Sequence, residues 1–183
     1  DAQESRGLGD VYKRQVIRSN EMKYKAFDHG VNIITLEKNH QKMAMTCAWA
    51  MQVDYDKILC LLGSQSVTGN TIKKGDYIGI SVLGISQKEI AEAIGDCHSN
   101  EVDKFATYHF ENYLDVMVLK DSPIVLKCRV SDVISLEGIE EDHLIYAQII
   151  SSLEQKKERY LHMSDYDGSV SYTHLTLPTI LRV

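Results

Sequence analysis

The stretch from Gly30 to Gly84 constrains the fold more than any other part of the chain. "GVNIITLE" is a β-branched run, "KNHQ" is a polar break, and Lys42 to Met51 is a second apolar run, a pattern that predicts a hairpin. Strand side chains point alternately to opposite faces. In the second run, Met43, Met45, Cys47 and Trp49 therefore share a bulky face, and Ala44, Thr46, Ala48 and Ala50 share a small one. "DKILCLLG", bounded by Asp56 and Gly63, predicts a strand buried on both faces. "DYIGISVLG" predicts another, with Gly79 thinning it where something approaches the backbone.

Thr68 is placed to cap a two-turn helix that stops at Gly75. "SQKEIAEAIG" predicts a better-defined helix: Ser86 and Glu89 form a capping box, Ile90, Ala93 and Ile94 make the apolar face, and Gly95 closes it. Downstream, "YLDVMVLK", "SPIVLKCRVSDVISLEG" and "HLIYAQIISSLEQ" read as three further strands, with Pro123 at a strand start and an acidic loop from Gly138 to Asp142. The total is about six or seven strands with two or three short helices, a mainly β chain that favours a closed barrel with helical decoration.

The chain has 183 residues, 44% of them hydrophobic, enough for one domain with a buried core. A net charge of −6 and the absence of a basic stripe exclude nucleic acid as the main partner. No long apolar segment signals a membrane span and no leader pattern is seen, so a cytoplasmic protein is expected. The four cysteines form no CxxC and are expected to be free thiols; Cys97-His98 has no further ligand spacing around it, so no metal site is expected. Residues 1–15 and 169–183 lack helix or strand periodicity and read as non-native or disordered tails around a domain at 16–168.

Ser64, Ser66 and Thr68 cluster where a predicted strand gives way to a predicted helix. A phosphate monoester needs several converging donors, and hydroxyls together with backbone N–H groups supply them. Lys73 or Lys74 would add charge, although a lysine late in a helix also suits its C-terminal dipole. The plainer alternative is a cap and a polar loop. The small face at Thr46, Ala48 and Ala50 permits close approach by a planar ring; small residues equally face a tightly packed helix. Trp49, on its own chemistry, reads as core or subunit interface.

These segments together resemble the flavin reductase-like family, from about Tyr24 to Tyr166. "MAMTCAWAMQVDYDKILCLLG" is similar to the family's T-x-x-W strand pair, with Asp56 and Lys57 where prolines are usual. "SQSVTGNTIKKGDYIGISVLG" is similar to its S-x-x-T segment, with Ser81 where asparagine is commoner; "EVDKFA" and "GIEEDHLIYAQII" resemble its D-K-F segment and G-D-H strand opening. The resemblance implies a split β-barrel of the FMN-binding type, usually a homodimer. It implies that Thr46, Cys47, Ala48 and Trp49 border the isoalloxazine and that Ser64, Ser66 and Thr68 take the phosphate. Lys104 and Phe105 of D-K-F join the cofactor set, and His143 falls on the cofactor or nicotinamide side as the candidate catalytic residue. The implied activity passes electrons from NAD(P)H through bound FMN to a flavin, an iron complex or a protein acceptor. A non-enzymatic flavin-binding electron carrier and a split barrel that binds haem or another ligand are the competing expectations.

Overall fold

The computed structural model describes residues 27–166; the two expected tails lie outside them. Nine strands form among these residues: β1 (Asn32–Lys38), β2 (Gln41–Cys47), β3 (Ala50–Asp54), β4 (Lys57–Leu62), β5 (Tyr77–Val82), β6 (Phe110–Tyr113), β7 (Val116–Leu119), β8 (Ile124–Ile134) and β9 (His143–Glu154). Seven of them make one antiparallel sheet in the order β2-β1-β5-β8-β9-β4-β3, and β6-β7 is a separate hairpin. The two end strands, β2 and β3, are joined by only Ala48 and Trp49, so the chain itself carries one edge of the sheet to the other. Leu61 N donates to Trp49 O at 2.8 Å across that join. The sheet thus curls into a split barrel.

The single strand expected from Lys42 to Met51 is therefore broken in two, and the break changes the side-chain parity. Ala50 packs against the barrel interior, while Trp49 leaves the bulky row and lies against His29 with ring centroids 4.7 Å apart. Met43, Met45 and Cys47 do point into the interior, with Ile34, Ile58 and Ile145. Strand β4 is not buried on both faces: Ile58, Cys60 and Leu62 are buried and the residues between them half-exposed. Asn39 and His40 have φ of 52° and 63°, the two-residue turn that matches strand twist. "YLDVMVLK" is not one strand, because Leu114 and Asp115, with φ of 48° and 71°, turn β6 into β7.

Gly79 lies where a second backbone approaches. A Cβ there would collide with the carbonyl oxygen of Met117 on β7. The β6-β7 hairpin is held over this point by Thr35 Oγ1, which donates to Met117 O, and by Leu119 N, which donates to Ser81 Oγ at 2.8 Å.

Among the described residues three short helices decorate the barrel: α1 (Val67–Thr71), α2 (Lys88–Gly95) and α3 (Lys104–Thr107). Ser66, not Thr68, caps α1, accepting from Gly69 N at 2.8 Å, and α1 ends at Thr71 well before Gly75. Gly75, at φ 92°, instead opens the turn into β5. The capping box expected at Ser86 and Glu89 does not form, because a 3-10 turn (Ile85–Gln87) precedes α2 and Glu158 takes the N–H and the hydroxyl of Ser86. The buried face of α2 is Ala91 and Ile94 rather than Ala93. This face packs on β2, burying Ala44, Thr46 and Ala48, and Thr46 Oγ1 donates to Ala91 O at 2.7 Å. The small residues of β2 serve helix packing, the geometry that close-packed interiors demand.

Candidate functional site

A narrow cleft lies between β2, the start of α1 and the loop that follows α2. Ser66 and Thr68 line it with Thr46, Cys97, Ser99 and Lys104. Ser66 Oγ accepts from Gly69 N and donates to Met45 Sδ at 3.2 Å. A thioether is a weak acceptor, so that proton is readily redirected to a ligand oxygen. The buried hydroxyl of Thr68 makes no hydrogen bond with any described residue.

Lys104 is the electrostatic centre of the cleft. Asp103 caps α3 by accepting from Phe105 N and Ala106 N, and this sets the lysine at the first helical position with its side chain directed inward. The residue is 3% exposed. Its Nζ donates to Ala44 O at 2.8 Å and to Ile94 O at 2.9 Å, the latter at the C-terminal end of α2, where a cation is favoured. Two of its three protons are thus used, and no carboxylate among the described residues pairs with it. Burial holds its pKa below the usual lysine value, with Cys97 acting weakly in the opposite direction. A buried ammonium without a counter-charge, in a cleft that two hydroxyls also line, is chemically matched to an anion.

The expected residues do not all meet here. Ser64 stands outside the cleft: its N–H donates to Asp142 Oδ1 at 3.0 Å and its carbonyl accepts from Asn70 Nδ2. Cys47 points into the barrel interior and Ala48 packs among the residues beneath α2. Phe105 packs on Phe110, ring centroids 4.3 Å apart, and borders a separate groove. Lys73 and Lys74 are exposed, and Lys74 pairs with Asp132 at 3.6 Å, so neither supplies charge to the cleft. His143 opens β9 directly opposite Leu62, one residue before the loop that carries the hydroxyls, but does not line the cleft.

Two residues of the site escaped the sequence reading. Asp142, 2% exposed, anchors the hydroxyl loop through Ser64 N; its position beside His143 in the "DH" strand opening was the available signal. Ser99 gives and takes hydrogen bonds with the backbone of Ala44, both at 3.1 Å, closing the outer edge of β2. Nothing in local sequence marks it. Cys60 and Cys128 are buried, which pushes their thiols up, Cys128 to about 12; they are protonated core residues, not redox groups.

A model of the flavin reductase like domain matches residues 24–171. A search of curated proteins finds no match. Among solved structures, the NADH:FAD oxidoreductase SgcE6 of Streptomyces globisporus superposes with a TM-score of 0.67 at 16% identity, covering 82% of this chain and 87% of that one. Flavoredoxin from Methanosarcina acetivorans gives 0.65 at 13% identity, covering 84% and 95%. A candidate oxidoreductase of Sinorhizobium meliloti 1021 gives 0.66 at 17% identity; the match covers 81% of this chain but spans only half of that longer protein. At these identities the structures establish a shared fold, and the family model covers most of the sequence. The chain belongs to the flavin reductase-like family.

Proposed function

We propose that this protein binds FMN and acts as an NAD(P)H-dependent oxidoreductase that passes electrons to a flavin, an iron complex or a protein acceptor. The observation that carries this reading is the buried, unneutralised ammonium of Lys104 on the wall of a cleft that also holds Ser66 and Thr68. That donor set fits a phosphate monoester. The names of structural neighbours support a flavin: an NADH:FAD oxidoreductase also solved with NAD and FAD fragments, a flavin reductase of a styrene monooxygenase and an FMN-binding protein.

Bound FMN would supply hydride acceptance at its N5 and onward electron transfer. The chain's own part is to bind and orient. Thr68 and Ser66 would donate to phosphate oxygens and the third proton of Lys104 would offset the phosphate charge, while Asp142 keeps the loop in place. Because α2 covers Thr46 and Ala48, the small face of β2 offers the ring no side-chain platform. A second copy of the chain would therefore complete the ring site. Exposed Met51 and Val53 on edge strand β3, Tyr55 in the turn that follows it, and Ile150 and Leu153 on β9 form the apolar surface of the proposed homodimer. His143 remains the candidate for a contact on the nicotinamide side. Among the described residues no helix is long and apolar enough to cross a membrane; a cytoplasmic location is part of the proposal.

The purified protein is expected to be yellow, or to become so with added FMN, and anaerobic NADH or NADPH is expected to bleach its absorbance near ~450 nm. Bound FMN that neither nucleotide bleaches would make the protein a carrier. A colourless protein that cannot be reconstituted would overturn the reading.

A further inference from the structure

Two hollows follow one another along β2. Residues 44–46 of the strand line the phosphate cleft, and residues 40–42 line a wider groove of about 540 Å³. Ser99 is the only residue that lines both. Its Oγ accepts from Ala44 N and donates to Ala44 O, both at 3.1 Å, so the side chain is tied at two points between the hollows. Lys104 Nζ reaches the same carbonyl at 2.8 Å, and Lys104 lines the cleft but not the groove. The cleft therefore ends at Ser99.

The donors point the same way. A phosphate monoester presents three terminal oxygens and, near neutral pH, a charge approaching −2. The hydroxyls of Ser66 and Thr68 and the third proton of Lys104 are matched to those three oxygens. In a pyrophosphate, one oxygen on the same phosphorus becomes a bridge to the next phosphate, a poor acceptor, and the charge on that phosphorus falls to −1. One of the cleft's donors would then lose its partner, at the cost of an unmet buried polar group.

We infer that the cleft takes a terminal phosphate only and that Ser99 is the specificity-determining residue, so that the mononucleotide FMN is selected over the dinucleotide FAD. The inference rests on the phosphate site proposed above. FAD matches FMN as far as the first phosphorus. From there its chain continues to a second phosphate and an adenosine, which would have to pass Ser99 to reach the groove. Structural neighbours are named for FAD and for FMN alike. The shared fold thus leaves the choice open, and the closed end of the cleft makes it.

Calorimetric titration of the purified full chain with riboflavin, FMN and FAD tests the inference. FMN is expected to bind about tenfold to a hundredfold more tightly than FAD, the worth of one charge-assisted hydrogen bond. Ser99→Gly removes the barrier and is expected to shrink that preference by about fivefold, whereas Ser99→Thr keeps the hydroxyl and is expected to retain it. Riboflavin affinity reports on the ring alone, and a cooperative melt checks that each variant is folded. FAD binding as tightly as FMN in the unmodified protein overturns the inference while the phosphate assignment stands. So does a preference that Ser99→Gly leaves intact or that Ser99→Thr loses. FMN binding no more tightly than riboflavin overturns the phosphate assignment and this inference together.

Discussion

Gly79→Val is expected to lower stability by about 3 kcal/mol, the upper part of the range for forced overpacking. In a domain of this size that corresponds to a fall in Tm of roughly 10 °C. The first atom of a new side chain would strike the Met117 carbonyl, which is backbone and cannot rotate away, and then Thr35 Oγ1. Relief requires lifting the β6-β7 hairpin, which forfeits the Thr35 and Ser81 hydrogen bonds and exposes Val118, now fully buried. Hydrogen exchange is expected to accelerate first at Val116 to Leu119. An unchanged melting temperature would show that the hairpin is not seated as described.

Lys104→Met is expected to cost about 2–4 kcal/mol in stability and, separately, to weaken FMN binding by about tenfold to a hundredfold. Methionine fills a similar volume but donates nothing. Ile94 O would lose its lysine donor, whereas Ala44 O would keep Ser99. The pH dependence distinguishes this from simple loss of packing. Burial places the native pKa of Lys104 below 10.5, so between that native value and 10.5 the unfolded chain binds more protons than the folded one. Stability from this group therefore rises with pH across that window, and the variant lacks the rise. Urea unfolding at neutral pH and near ~pH 9.5 is expected to show the gap widening in favour of the unmodified protein. A gap that narrows would contradict a buried, charged Lys104.

What the sequence revealed and what it concealed divide along physical lines. Strands β1, β5, β8 and β9 were legible because each is a long β-branched run bounded by turn residues. The hairpin at Asn39-His40 was legible from its polar break. The interruption at Ala48-Trp49 was not, because alternation continues through it and only the barrel's need to join its two edges breaks the strand there. The turn at Leu114-Asp115 was hidden for a similar reason: leucine gives no turn signal and is held at positive φ by its surroundings. At the site, the hydroxyl cluster pointed to Ser64, Ser66 and Thr68 with the cap at Thr68, whereas Ser66 caps α1 and Ser64 stands outside the cleft, because periodicity does not fix where the helix begins. The small face of β2 was correctly seen as small, yet its neighbour is α2, a tertiary fact that spacing does not encode. Lys104 came from resemblance alone. Its burial depends on two carbonyls, at Ala44 and Ile94, remote from it in sequence.

The central claim is that the cleft grips a phosphate, and the ratio of riboflavin to FMN dissociation constants tests it most directly. Thr68→Ala is the informative variant, because Ser66 also caps α1 and its loss would mix stability with binding. The unmodified protein is expected to bind FMN much more tightly than riboflavin, and Thr68→Ala to weaken FMN by about tenfold while leaving riboflavin nearly unchanged, since the lost donor faces only the phosphate. Equal loss for both ligands, or no preference for FMN in the unmodified protein, would contradict the assignment of this cleft to the phosphate.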